Sequence, residues 1–326
     1  MTLEEIKAPV AQEVATYHTE FNEILASRSQ WLQEAMRILA ESSGKMVRPV
    51  LTCLTAGMVA GQVPELAITS GILLELIHTA TLIHDDVIDE AKTRRGKPTL
   101  GAIFDNRIAV LMGDFVLSSA LIGAIQTRNL RIIGIVSRIG RELTEGEIRQ
   151  YESAEGARLD IDNYFEVIKQ KTAVLFASCA EVAAIAVEAS EADIQRAARI
   201  GELLGLAFQI RDDIFDYYPS LEVGKPTGND IREGKVTLPL LHTLLGPEGQ
   251  SPEGIACRAL IEDKRLDDEA IQRLIAFACE HGGIDYAEQR MQDLIDEAKA
   301  LIGAYPDSPY RQSMLALADY IAERRK

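Results

Sequence analysis

Several things are scarce in this chain of 326 residues, and each scarcity removes a class of function. The four cysteines, Cys53, Cys179, Cys257 and Cys279, are scattered with no CxxC pair. That excludes a disulfide framework or a thiolate zinc cluster and leaves buried, reduced thiols as the expectation. His78 and His84 lie six residues apart, off a common helix face, and no HExxH occurs, so a zinc site is not expected. With eleven prolines and little alternation of apolar and polar residues, strands are not expected either. Basic excess is missing as well. The formal net charge of −16 argues against a nucleic-acid backbone as partner. No run of about twenty apolar residues is free of charge, which predicts no membrane span. The opening MTLEEIKAPV is too acidic and polar for a signal peptide, so a cytoplasmic protein is expected. No Ser/His/Asp or Cys/His set suited to nucleophilic catalysis stands out.

What is present is helix-forming. Of the residues, 47% are hydrophobic, and long Ala/Leu/Ile/Glu segments dominate. That is ample for a large core and predicts helices throughout. Helical patterns cover 3–26, 28–42, 50–60, 65–89, 107–127, 130–153, 164–187 and 191–217, with shorter helices from 236 to the end. Asp160 to Asn163 supply helix-starting residues. No low-complexity linker splits the chain, so residues 1–326 are expected to form a single all-α domain.

One stretch organises the rest. From Ile72 to Thr99 an apolar run ends in Asp85, Asp86 and Asp89, then turns into Arg94, Arg95, Gly96 and Lys97. On a helix, Asp85 and Asp89 share a face with Cβ atoms about 5–6 Å apart. Two carboxylates so placed can share a hard divalent cation such as Mg²⁺, which also takes waters and phosphate oxygens. The arginines beyond offer planar forks to the same phosphates. The pattern recurs: DDVIDEAKTRRGKPT at 85–99 is echoed by DDIFDYYPSLEVGKPT at 212–227, with Asp212, Asp213 and Asp216. A single acidic cluster near a helix end is ordinarily a solvated face. Two copies, each behind an apolar helix and each followed by basic residues, are not. Facing each other, they would repel unless cations lay between them. The segment 217–234 is long for a helical connection and suggests a functional loop.

These motifs resemble one family, the trans-type polyprenyl diphosphate synthases. The likeness runs from Gly44 to about Leu241, with the motifs in the family's order: GKMVRP at 44–49, IHTATLIHDDVID at 77–89, RRGKPT at 94–99, GD at 113–114, KT at 171–172, FQIRDDIFD at 208–216 and GKPTGNDIREGKVTLP at 224–239. One departure is visible: Ser43 and Met46 stand where the first motif often has Gly and Arg.

The resemblance implies an all-α bundle of the isoprenoid synthase type around a central cavity, and three Mg²⁺ ions. It places two ions on Asp85 and Asp89, supported by Asp86, and the third on Asp212, supported by Asp213 and Asp216. Arg94, Lys171, Lys225 and Lys235 would grip an allylic diphosphate; Lys45, Arg48, His78 and Arg95 would hold isopentenyl diphosphate. Thr172 and Gln209 would turn oxygen dipoles on a developing carbocation. A homodimer is implied, and an oily product suggests peripheral membrane contact for release.

Product length is expected to be set below the first aspartate motif. Ala80 and Thr81, five and four residues before Asp85, are small where short-chain members of the family often carry bulk. Ile77, Leu76 and Leu73 continue down that face, and Leu117 and Leu121 of a neighbouring helix could complete a floor. This predicts a product of twenty carbons or more, in keeping with a quinone-type tail. A class I terpene cyclase, or a head-to-head coupling enzyme, would not need Lys45, Arg48 and Arg95. A non-catalytic regulatory subunit would be expected to lose an aspartate motif. A plain helical scaffold leaves the paired motifs unexplained.

Overall fold

The computed structural model describes residues 1–41, 46–94, 96–218 and 227–324. The helices are α1 (Leu3–Lys7), α2 (Ala11–Ile24), α3 (Gln30–Glu41), α4 (Val47–Ala60), α5 (Glu65–Ile88), α6 (Leu100–Ile103), α7 (Asn106–Gln126), α8 (Leu130–Glu155), α9 (Ile161–Ile168), α10 (Val174–Ala186), α11 (Glu191–Phe215), α12 (Asn229–Arg232), α13 (Leu238–Leu245), α14 (Pro252–Glu262), α15 (Asp268–Glu280), α16 (Gly283–Gly303) and α17 (Pro309–Glu323). The architecture is all-α. Among the described residues the strands are limited to one two-residue hairpin, Thr93–Arg94 with Lys97–Pro98. The helix expected over 3–26 is interrupted at Ala8–Val10, because Pro9 lacks the N–H that would continue it.

Helix starts follow local chemistry. Thr2 and Glu5 form a reciprocal capping box on α1. Asp105, Asp160, Ser251 and Asp267 each accept a backbone N–H of the following first turn. α4 ends on Gly61 at φ 73°, a left-handed cap that glycine adopts without a Cβ clash.

The described residues form two compact units. The first comprises Met1–Arg141, Leu175–Gly201 and Leu301–Leu317. Its core is built on α5, whose Ile72, Leu73, Leu74, Leu76 and Ile77 are fully buried. α5 packs along α7, where Gly123 admits the Leu73 side chain and Gly113 admits the His84 ring. Tyr17 reaches in from α2 and donates to the carbonyl of Gly71 at 3.0 Å. The second unit comprises Glu142–Val174, Glu202–Ala300 and Ala318–Lys326. Leu203, Leu204, Ala207, Ile210 and Ile214 of α11 are buried in it, and α13 and α15 pack on each other.

Two expectations change here. α5 and α7 are long and apolar enough to cross a membrane by length and composition, although α5 buries 61% of its apolar window inside the protein. α7 buries only 39% of its window, so packing inside the protein accounts for more of the apolar surface of α5 than of α7. Cys53, Cys179 and Cys257 are buried as expected, but Cys279 is exposed because it falls on the outward face of α15.

Close approach of α10 and α11 within the first unit yields a stability prediction. A Cβ on Gly201 would lie 2.4 Å from the carbonyl oxygen of Phe176 and 2.8 Å from the Cα of Ala177. Alanine at an open helical site should gain about 1 kcal/mol over glycine. Here backbone meets backbone, and overpacking of about 1–3 kcal/mol or more should win. Gly201→Ala is therefore expected to lower the denaturation midpoint; a rise would mean that the helices part at little cost.

Candidate active site

The first aspartate cluster closes α5. The N–H of Asp89 donates to the carbonyl of Asp85 at 2.8 Å, which keeps the two carboxyl-bearing residues in helical register. Asp86 is set apart: its Oδ1 accepts from Arg94 Nε at 2.7 Å. Burial pushes the Asp86 carboxyl above its usual range, and Arg94 works against that shift. The hairpin holds Arg94 in place, turning at Gly96 with φ 75°, while Thr99 caps α6 and donates to the Ala91 carbonyl at 2.7 Å. Arg95 and Lys45 lie outside the described residues, as does Lys225.

Arg48, on α4, is braced by Glu75, which no sequence motif marks. Its Nε and Nη2 donate to Glu75 Oε2 and Oε1 at 2.7 and 2.9 Å, a bidentate fork that fixes the guanidinium plane. Glu75 lies three residues before His78 on α5. His78 and Thr81 are half-buried, and the Thr81 hydroxyl donates to the His78 carbonyl at 2.9 Å. The Gly-Asp pair at 113–114 now has a place: Gly113 makes room for the His84 ring, and Asp114 lies 3.5 Å from His84 Nε2.

The chain-length candidates divide. Ala80 is 1% exposed, and Ile77 and Leu76 are fully buried beneath it. Leu121 is 40% exposed, as are, more fully, Leu111, Ile122 and Ile125 of the same helix α7.

In the second unit the three aspartates of the second cluster take three different tasks. Asp212 Oδ1 accepts from Arg324 Nη2 at 2.7 Å. The Arg324 guanidinium also donates to the Phe208 carbonyl and lies 3.7 Å over the Phe208 ring. Asp213 is buried with both oxygens engaged, Oδ2 by the Tyr164 hydroxyl at 2.6 Å and Oδ1 by Gln209 Nε2 at 2.8 Å. Burial, reinforced by the Asp230 charge, pushes its carboxyl well above the usual range; the Tyr164 and Gln209 hydrogen bonds pull it back in part. Asp216 accepts the backbone N–H groups of Asn229 and Asp230 at 3.0 and 2.9 Å, which secures α12. Asp213 thus orders Tyr164 and Gln209, and Asp216 orders the start of α12.

Lys171 and Thr172 sit in a π-turn, Lys169–Ala173, inserted between α9 and α10. Such turns often mark functional positions because the extra residue redirects side chains. Gly146 makes the seat: a Cβ there would lie 2.8 Å from Gln170 and 3.0 Å from the Lys171 backbone nitrogen. Lys171 Nζ pairs with Glu147 Oε2 at 2.8 Å and Gln150 Oε1 at 3.2 Å. Lys235 pairs with Glu233. Thr172 donates to Gln209 Oε1 at 2.7 Å.

Lys171, Thr172, Gln209, Asp213 and Lys235 line one cleft of about 780 Å³, its open mouth included. Asp230, Tyr164 and Gln150 complete it. Burial and the neighbouring Asp216 charge push the Asp230 carboxyl up to about 6, with Lys235 opposing. No spacing rule pointed to Tyr164, Glu147 or Glu75, since each acts on a partner remote in sequence.

The donor set suits a hard cation. Among the described residues no three His, Cys, Asp or Glu side chains converge on one point, so no all-protein cage is present. Mg²⁺ does not need one; it commonly takes one or two carboxylates and completes its shell with water and substrate phosphate. Asp85 with Asp89, and separately Asp212, fit that use.

A family model described as polyprenyl synthetase matches residues 29–277. An octaprenyl diphosphate synthase of Haemophilus influenzae is 36% identical over 289 residues, covering 88% of this chain and 86% of that protein. Among solved structures, a decaprenyl diphosphate synthase from Rhodobacter capsulatus superposes with a TM-score of 0.92 at 32% identity, covering 100% of both chains. A polyprenyl synthase from Caulobacter crescentus, complexed with calcium and isoprenyl diphosphate, gives a TM-score of 0.91 at 30% identity, covering 100% of this chain and 98% of that one.

Proposed function

The chain belongs to the polyprenyl synthetase family, and on that premise we propose that it elongates an allylic diphosphate by successive head-to-tail (1′-4) trans condensations with isopentenyl diphosphate. It is a prenyltransferase, and its proposed product is a polyprenyl diphosphate of twenty carbons or more, of the length used for quinone tails. The long-chain products named for the Haemophilus and Rhodobacter proteins support that range.

The observation that carries the reading is that Lys171 and Lys235 line the same cleft as the hydrogen-bonded pair Thr172 and Gln209. Breaking the allylic C–O bond leaves the electron pair on pyrophosphate and a cation on carbon. The lysines match the first and the oxygen dipoles the second, and preorganised groups of this kind supply the main stabilisation in a water-poor site. The double bond of isopentenyl diphosphate then attacks the cation, and a proton leaves to the released pyrophosphate. Arg48, held by Glu75, is proposed to present its remaining donors to isopentenyl diphosphate, together with His78, Lys45 and Arg95. Arg94, Lys171, Lys225 and Lys235 would hold the allylic diphosphate. Asp85 and Asp89 would hold two Mg²⁺ and Asp212 a third; when bound, the ions add positive charge that holds the diphosphate and eases its departure.

Full-length coverage of the solved relatives supports residues 1–326 acting as one synthase domain. A homodimer is proposed, with the exposed Leu111, Ile122 and Ile125 face of α7 as the surface a second copy covers. Work in the cytoplasm, with transient membrane contact at product release, completes the proposal.

The test is incubation with isopentenyl diphosphate, farnesyl diphosphate and Mg²⁺, followed by chromatography of the dephosphorylated products. A ladder ending at one long chain is expected. Pyrophosphate release with a hydrocarbon or alcohol and no chain growth would point to a cyclase instead.

A further inference from the structure

We infer that Tyr164 is a positioning residue for the ionisation step, acting through Asp213 and Gln209 to keep the lone pairs of Thr172, rather than its proton, directed at the cleft. This rests on the role proposed above for Thr172. Donors and acceptors alternate along one hydrogen-bonded chain. The Tyr164 hydroxyl donates to Asp213 Oδ2 at 2.6 Å. The other oxygen, Oδ1, accepts from Gln209 Nε2 at 2.8 Å. With both Asp213 oxygens accepting, the Gln209 amide is held with nitrogen toward Asp213 and oxygen away. That oxygen, Oε1, then accepts from Thr172 Oγ1 at 2.7 Å. A threonine hydroxyl has one proton, and here it is spent on Gln209. What Thr172 has left for anything in the cleft is lone-pair density, which attracts a developing cation and repels none of its charge.

Tyr164 is the far anchor of this chain. It enters at the start of α9, seven residues before Lys171, and its ring is packed edge-on against Phe165 with centroids 5.4 Å apart. The phenol and Asp213 are both buried, so water does not readily replace a lost donor. Without the hydroxyl, Asp213 Oδ2 loses its partner, the carboxylate can rotate, and the Gln209 amide loses the contact that sets its orientation. The Thr172 proton is then no longer committed in one direction. Chains of this type are worth more than their separate links because each bond polarises the next.

Tyr164→Phe removes one oxygen and keeps the ring. It is expected to lower kcat about tenfold, with KM for both diphosphates essentially unchanged and the melting temperature lowered, because Asp213 loses a buried donor. Thr172→Val should lower kcat at least as much, while Thr172→Ser, which keeps the hydroxyl, should restore most of it. The deciding measurement is the double variant. Because Tyr164 acts through Thr172, Tyr164→Phe on top of Thr172→Val should cost nothing further. Unchanged kcat in Tyr164→Phe, or losses that multiply in the double variant, would overturn the inference. A Thr172→Val enzyme as fast as the parent would overturn the Thr172 role and this inference with it. Failure of the parent to elongate any primer would instead sink the functional reading. Should Tyr164→Phe not fold, Asp213→Asn breaks the same chain one link on and is judged by the same non-additivity.

Discussion

Replacing Asp85 by Asn is expected to cut kcat for elongation about a thousandfold or more while leaving the fold slightly more stable. The two effects have opposite signs for a physical reason. Asp85 and Asp89 stand one turn apart at the C-terminal end of α5, with Asp86 between them. Carboxylates at a helix C-terminus oppose the macrodipole, at a cost of about 0.3–1 kcal/mol each. Like charges at i and i+4 add a few tenths more. Core packing of α5 and the Asp86 pair with Arg94 are among the gains that offset this cost. If Asp85 and Asp89 hold Mg²⁺ against the allylic diphosphate, losing one removes several kcal/mol of charge stabilisation, and each ~1.4 kcal/mol is a factor of ten in rate. The check is steady-state elongation at saturating Mg²⁺ together with a thermal melt. A thousandfold loss with an unchanged or raised melting temperature is the expected pair. Activity within tenfold of the parent would remove the first aspartate cluster from the metal site.

Ala80→Phe is expected to shorten the product rather than stop the reaction. Ala80 is 1% exposed, on the helix that carries Asp85 and little more than one turn before it. Ile77 and Leu76 continue beneath it, fully buried. If the diphosphate is anchored at the aspartates, as proposed, a growing tail must pass this level to lengthen. A phenyl ring there blocks passage after few additions, while the first condensation, which occurs above it, proceeds. The same ring in a closed core would cost about 1–3 kcal/mol of overpacking. The two situations separate cleanly when chromatography of the dephosphorylated products is run beside a melt. Truncated products from a well-folded enzyme place Ala80 on the path of the tail. Unchanged product length with a lowered melting temperature makes it ordinary core and shifts attention to Thr81.

Much of this molecule was readable from local pattern. The end of α5 in an Asp-Asp-x-x-Asp run, the start of α9 at Asp160 and the stop of α4 before Pro64 all follow from capping and periodicity, which act within a few residues. Leu121 shows where periodicity stops being enough. An apolar residue on an apolar helix reads as core, yet this one faces outward, because the sequence of one helix does not say which of its sides a neighbour covers. The π-turn was likewise invisible. Lys169–Ala173 carries no glycine or proline, and its widened turn is held by the close seat at Gly146, more than twenty residues earlier.

The sequence by itself determined the chemistry: two acidic motifs, a set of basic residues and long apolar helices, all specified by residue type and short-range spacing. Only the tertiary structure decided what each charged group is tied to. Asp212, Asp213 and Asp216 read as one cluster, but Arg324, Tyr164 and the N-terminus of α12 divide them into three tasks. Arg48 read as a binder of isopentenyl diphosphate, and Glu75 fixes the plane of its guanidinium. The reason is that hydrogen bonds and ion pairs between side chains need ångström placement of partners far apart in the chain. That placement comes from how the helices pack, which no local pattern encodes.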